Sequence, residues 1–239
     1  MRKVCYYASN SGRLRTNNED CIQINKKIFS NQKAKKGSCS LKKNNFISVC
    51  DGMGGEECGE VASLMAVSKF SQLNPNTITK EQILNTIDNI NNDICIEMDK
   101  KNIRMGSTLV SAVIRDDYVD IYNLGDSRAY IYNTELIQLS KDHTVEKLNG
   151  KKKGALTQHL GIYKNEVELE PFIIDNIELK RNSYLLLCSD GLYDMIETKE
   201  IENILSSHMS DRKKRNKLIE RAMENGGKDN ISFLLVHCK

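Results

Sequence analysis

Short apolar runs of β character, at residues 46–50, 107–114, 118–124, 128–132, 184–188 and 231–237, constrain this chain most, because three follow one another with no helix between them. A parallel sheet needs a long crossover after each strand, so this succession excludes regular strand–helix alternation. Two long helical stretches interrupt the series. Residues 57–73 place Ala62, Met65, Ala66, Phe70 and Leu73 on one face. Thr79-Lys80-Glu81-Gln82 has the form of a capping box and precedes Ile83, Ile87, Ile90, Ile94 and Met98, spaced four, three, four and four apart. A last helix is predicted from Asp211, as its N-cap, to about Asn225, stopped by Gly226-Gly227. The pattern predicts an α+β fold, with antiparallel sheets and helices packed outside. At 239 residues, one domain spanning 1–239 is expected.

Composition narrows the function classes. Hydrophobic residues make up 39% and charged residues 28%, which argues against general disorder. No apolar run approaches the ~20 residues of a membrane span, and the first residues lack the apolar core of a secretory signal. A net charge of +3, evenly spread, does not build a nucleic-acid groove. The eight cysteines include no C-x-x-C pair and no C-x5-R phosphatase loop, so they are expected to be structural thiols in a reducing, cytoplasmic compartment. Residues 26–43 carry seven lysines and no acid; a solvated hairpin or loop is the favoured reading, a phosphoprotein-docking patch the lesser one. Lys151-Lys152-Lys153 and Arg212-Lys213-Lys214-Arg215 are likewise expected to be solvated.

The aspartates carry the chemistry. The run at 46–50 ends in Asp51-Gly52, that at 118–124 in Gly125-Asp126, and that at 184–188 in Ser189-Asp190-Gly191; Asp229-Asn230 stands just before the last run. A single strand-Asp-Gly is an ordinary turn. If four such ends converged, their carboxylates would repel and raise one another's pKa unless a cation neutralised them. An all-oxygen set favours Mg²⁺ or Mn²⁺ over zinc, and no H-x-x-x-H or H-E-x-x-H pattern supports zinc. Spacing alone leaves scattered turns and a metal cluster equally open.

Seven segments in order then match a family. They are Arg15-Thr16-Asn17-Asn18-Glu19-Asp20, Val49-Cys50-Asp51-Gly52-Met53-Gly54-Gly55, Met105-Gly106-Ser107-Thr108, Gly125-Asp126-Ser127-Arg128, Leu139-Ser140-Lys141-Asp142-His143-Thr144, Cys188-Ser189-Asp190-Gly191 and Gly227-Lys228-Asp229-Asn230. Together they resemble the metal-dependent protein phosphatases of type 2C, the PPM family, in its compact bacterial form. The resemblance covers essentially the whole chain.

It implies a central β-sandwich of two antiparallel sheets with helices on both outer faces. It also implies that Asp51 bridges two Mn²⁺ or Mg²⁺ ions, the Gly52 carbonyl binds the first, and Asp190 and Asp229 hold the second. Asp126, with Asp190, matches the site of a third, weaker ion. Glu19 and Asp20 would orient metal-bound waters, and Arg15, whose planar donors suit phosphate oxygens, would grip the substrate. The implied reaction is hydrolysis of phosphoserine and phosphothreonine by a hydroxide between the two metals, attacking in line without a phosphoenzyme.

No general acid is evident, since Met53 stands where eukaryotic relatives often carry His, and His143 and His159 read better as structural hydrogen-bonders. Only ten residues, Val145 to Gly154, separate Asp142-His143-Thr144 from Ala155-Leu156-Thr157, so the flap of bacterial relatives is expected to be shortened here. The expected partners are phosphoproteins, among them a Ser/Thr kinase and its targets, met by a monomer, with no nucleic acid and no membrane. The alternative is an inactive regulatory module on the same fold, disfavoured because every expected acid is present.

Overall fold

The computed structural model describes residues 1–30, 34–54, 58–145 and 155–239. Two antiparallel sheets face each other. The first contains β1 (Lys3–Asn10), β4 (Ala34–Leu41), β9 (Arg128–Tyr132), β10 (Leu136–Gln138), β12 (Tyr184–Cys188) and β13 (Ile231–Cys238), in the order β10-β9-β12-β13-β1-β4. The second contains β2 (Asp20–Ile24), β3 (Lys27–Phe29), β5 (Asn45–Gly54), β7 (Leu109–Ile114), β8 (Tyr118–Leu124) and β11 (Phe172–Glu178), in the order β11-β8-β7-β5-β2-β3, with β6 (Met105–Ser107) paired to the far end of β5.

Period-two alternation splits each strand between two cores. In β12, Leu185 and Leu187 point between the sheets and meet Ile22, Val49, Val110 and Val236, whereas Leu186 and Cys188 point outward. The outer face of the second sheet is covered by α1 (Gly59–Phe70) and α2 (Lys80–Lys101), through Ala62, Phe70, Ile83, Ile87, Ile90 and Ile94. The outer face of the first is covered by α3 (Asp190–Tyr193), α4 (Thr198–Ser206) and α5 (Asp211–Glu224), through Leu192, Ile201 and Leu218. The layers therefore run helix, sheet, sheet, helix. Each fully buried aliphatic side chain contributes roughly 1.5–3 kcal/mol, so three cores hold the sandwich from both sides.

The α2 start is as predicted: Thr79 accepts from the Gln82 N–H, and Gln82 returns a bond to the Thr79 N–H. Four expectations need correction. The first helix occupies Gly59–Phe70 rather than 57–73, with residue 57 outside the described residues. Asp211 is the first helical residue of α5, not its N-cap, which is Ser210. Its carboxylate instead accepts from Tyr184 Oη (2.8 Å) and pairs with His237 and Lys239.

The basic run on α5 is only half solvated. Lys214 and Arg215 lie on the sheet-facing side, and their heads reach Tyr184 Oη (3.0 Å) and the Gly37 carbonyl (2.9 Å). Finally, the lysine-rich segment is not a hairpin, because β3 closes one sheet and β4 closes the other. Its polar alternation is that of edge strands, where exposed lysines discourage further pairing.

Candidate active site

Strand direction brings the predicted acids to one end of the sandwich. Asp20 opens β2 directly opposite Asp51 on β5. Directly opposed residues share a face, and this pair shares the inter-sheet side with Ile22 and Val49. Asp126 follows the end of β8, Asp190 follows β12 as the first residue of α3, and Asp229 precedes β13. Arg15, Glu19, Asp51, Gly52, Met53, Asp126, Asp190 and Asp229 all line one cleft of about 380 Å³, with Thr108 and Leu156. Of the predicted site residues only Asp20 does not line it. It lies fully buried beneath, where Oδ2 accepts from Ser189 Oγ (2.9 Å) and Oδ1 has no hydrogen-bond partner among the described residues.

Close backbone packing sets the cleft floor. A Cβ on Gly52 would stand 2.1 Å from the Gly59 carbonyl oxygen, so only glycine lets α1 seat against β5 while the Gly52 N–H reaches the Glu19 carbonyl (3.2 Å). Gly12 has a left-handed φ of +74° and its missing Cβ would stand 2.2 Å from the Asp229 carbonyl. The predicted strand 107–114 is broken at Thr108 for a related reason. The Thr108 N–H donates to the Asp51 carbonyl (2.8 Å), and its Oγ1 accepts from the Asp51 N–H (3.0 Å) and meets Ser127 Oγ at 2.6 Å. Thr108 thus leaves the ladder to hold the Asp51 backbone.

The sequence reading missed the supporting residues. Asn230 is nearly buried; its Oδ1 accepts from the Glu19 N–H (2.7 Å), and Nδ2 donates to the carbonyls of Asn17 (2.9 Å) and Ser11 (3.1 Å). One amide therefore ties the Arg15–Glu19 segment to the start of β13. Asn18, Ser189 and Thr108 act similarly. All four lie inside the quoted motifs, so their position was legible although their role was not.

Electrostatics follow from crowding. Burial first, and then Asp20, Asp190, Asp229 and Asp126, push the Asp51 carboxyl well above the usual range. Asp20 is pushed up to about 7, chiefly by burial, against the lowering effect of the nearby Ser232 and Ser189 hydroxyls. Glu19 is raised by burial and by Glu60. Arg15 is the one cation lining the cleft among the described residues, and its Nη2 donates to Asp229 Oδ2 at 2.8 Å.

The donor set fits hard divalent cations. Five carboxylates and no histidine or cysteine line the cleft among the described residues, and a buried carboxylate oxygen beneath it lacks a partner. As they stand, no three acidic, histidine or cysteine side chains among the described residues are gathered closely enough to hold one ion. Asp229 is turned to Arg15 instead.

Neither weak histidine candidate lines the cleft. His143 Nδ1 accepts from the Gly125 N–H (3.2 Å), and His159 Nδ1 lies 2.9 Å from the Leu160 carbonyl; burial lowers both pKa values. Arg128 grips Asp142 with Nε and Nη2 (2.6–3.1 Å) and stacks on Tyr193 at 3.7 Å, so it serves folding beside Asp126. Of the flap segment, residues 146–154 lie outside the described residues; its base closes through the Val145 N–H to the Ala155 carbonyl (3.0 Å). Among the described residues no helix is long and apolar enough to cross a membrane.

The chain is 34% identical to the serine/threonine phosphatase stp of Listeria innocua, over 96% of this chain and 94% of that protein. Its fold matches the serine/threonine phosphatase of S. agalactiae with a TM-score of 0.84 at 26% identity, covering 99% of this chain and 100% of that one. It also matches the catalytic domain of the phosphatase PstP, solved in complex with two manganese ions, with a TM-score of 0.75 at 25% identity and 99% coverage of both chains. The protein phosphatase 2C family matches residues 8–153 and 148–231. With the helix–sheet–sheet–helix layering and an acidic cleft at the strand ends, these matches show that the chain belongs to the protein phosphatase 2C family, the metal-dependent protein serine/threonine phosphatases.

Proposed function

We propose that this chain removes phosphate from phosphoserine and phosphothreonine in proteins, using two Mn²⁺ or Mg²⁺ ions at the acidic cleft. The observation that carries this reading is the convergence of five carboxylates and one arginine on a single cleft. Asp51, on which the repulsion of Asp20, Asp190, Asp229 and Asp126 converges, would hold the ions together with the Gly52 carbonyl, Asp190 and Asp229. Asp126 with Asp190 offers a third, weaker position. Bound ions would supply Lewis acidity, making a water nucleophilic near neutral pH and offsetting charge on the phosphoryl oxygens.

The chain's own residues do the remaining work. Arg15 is half exposed, so its guanidinium can pass from Asp229 to two phosphate oxygens, a geometry a lysine cannot reproduce. Glu19, whose backbone N–H is held by Asn230, lines the cleft and would accept hydrogen bonds from its water, whereas Asp20, held by Ser189 beneath the cleft, would reach only a water lying under it. No imidazole lines the cleft among the described residues, so the departing serine or threonine oxygen takes its proton from water. The substrates are phosphoproteins, with a Ser/Thr kinase and its targets as the natural counterpart, and a monomeric single domain suffices for the chemistry.

The test is phosphate release from a phosphothreonine peptide, in Mn²⁺ against EDTA and for wild type against Asp190→Ala. Turnover that requires the metal and is abolished by the substitution is expected. Folded protein with no turnover in any divalent metal would overturn the proposal in favour of a binding module.

A further inference from the structure

Two pairs of cysteines stand directly opposite each other in the antiparallel ladders, Cys5 with Cys39 on β1 and β4, and Cys21 with Cys50 on β2 and β5. Opposed residues in such a ladder have Cα atoms about 4.5 or 5.5 Å apart, depending on the site type, and share a face. Both values fall within the range of about 4.4–6.8 Å that a disulfide spans. Geometry alone would therefore let either pair close.

Their surroundings separate them. Cys21 and Cys50 are both fully buried in the core under α1, and burial drives both thiols upward, Cys21 to about 12. Cys39 instead lies on an edge strand and is partly exposed. Lys27, which opens β3, is near enough to favour a negative Cys39 sulfur. The opposed Cys5 and Cys39 thiols oppose each other's titration, lowering Cys39 to about 7 and, with burial, holding Cys5 well above its usual value. Partial exposure, a neighbouring cation and an opposed second thiol are the conditions that make a cysteine reactive.

We propose that Cys5 and Cys39 form an oxidation site for hydroperoxides, with Cys39 the attacking thiolate and Cys5 the resolving thiol. The Cys39 sulfur attacks the peroxide oxygen; an S–O bond forms, the O–O bond breaks, and hydroxide leaves and takes a proton to become water. The Cys5 sulfur then attacks the Cys39 sulfenyl sulfur; the S–S bond forms, the S–O bond breaks, and hydroxide leaves with the Cys5 proton as a second water. The two thiols lose two electrons and the peroxide gains them. The product staples edge strand β4 to β1. This site is independent of the phosphatase cleft, and its chemistry is unaffected by whether that cleft hydrolyses phosphate.

The experiment treats the full-length, Mg²⁺-loaded protein at pH 7 with stoichiometric hydrogen peroxide, alkylates the remaining thiols, and maps peptides by mass spectrometry without reduction. The expected product is a peptide pair linked through Cys5 and Cys39, with Cys21 and Cys50 alkylated. In Cys5→Ser, Cys39 is expected to be trapped as a sulfenic acid by dimedone. In Cys39→Ser, peroxide consumption is expected to fall on the order of ten-fold, the ratio of thiolate present at pH 7 for a thiol near 7 and one near the ordinary 8.5. Cys39 remaining alkylatable after peroxide, a Cys21–Cys50 link forming first, or undiminished peroxide consumption in Cys39→Ser would each overturn the proposal.

Discussion

Asn230 makes no contact that a motif comparison would single out, yet the structure gives it three side-chain hydrogen bonds joining the Arg15–Glu19 segment to the start of β13. Asn230→Ala removes all three. At about 1 kcal/mol net each, and with the Glu19 N–H and the Asn17 and Ser11 carbonyls only partly reached by water, the expected loss is about 3 kcal/mol. Asn230→Asp keeps an acceptor for the Glu19 N–H but loses both donated bonds and adds a charge next to Asp229. It should destabilise by a similar amount in EDTA and recover part of that loss in Mg²⁺, which Asn230→Ala should not share. Urea unfolding at pH 7, in EDTA and in Mg²⁺, measures all three proteins. A loss below about 1 kcal/mol for Asn230→Ala would show that the segment is held by other contacts and refute the reasoning.

Three other outcomes follow from the same geometry. Burial opposes ionisation of Asp211, but its bonds from Lys239, His237 and Tyr184 win and hold the carboxyl below its ordinary value. The stability it contributes is therefore fully present above the unfolded value near 4 and lost as pH falls through the folded one. Asp211→Asn should cost about 3 kcal/mol at pH 7 and flatten the acid limb, as read by thermal unfolding between pH 7 and 3. Arg15→Lys should raise KM for a phosphothreonine peptide more than it lowers kcat, because a point charge replaces a two-pronged donor; an unchanged KM would remove Arg15 from phosphate binding. Gly52→Ala should destabilise by more than 3 kcal/mol in urea unfolding, since the added methyl meets the Gly59 carbonyl backbone rather than a movable side chain.

Local chemistry made much of the fold legible. Strands at 118–124, 128–132 and 184–188 have the bounds their apolar runs predict, and the Thr79 capping box starts α2 as its sequence demands. The lysine-rich stretch holding β3 and β4 reads only as a solvated hairpin or loop because its lysines face solvent; that the two strands pair in different sheets depends on β1, the partner of β4, which is distant in sequence. Short α3 grows out of Ser189-Asp190-Gly191, which by itself is indistinguishable from a turn. Lys214 and Arg215 read as surface charge because a side chain's carbonyl and hydroxyl partners on Leu205, Gly37 and Tyr184 are distant in sequence.

By itself the sequence determined which aspartates end strands, that their donor chemistry suits hard cations, and, through seven ordered motifs, the family. Those are properties of neighbouring residues and survive in one dimension. Only the tertiary structure decided that Arg15, Glu19, Asp51, Asp126, Asp190 and Asp229 share one cleft, that Asp20 sits beneath it, and that Asn230 and Thr108 hold its backbone. It alone also set Cys39 opposite Cys5. Mutual repulsion, burial and hydrogen bonding depend on distances of a few ångströms, and only the folded pairing of strands sets those distances.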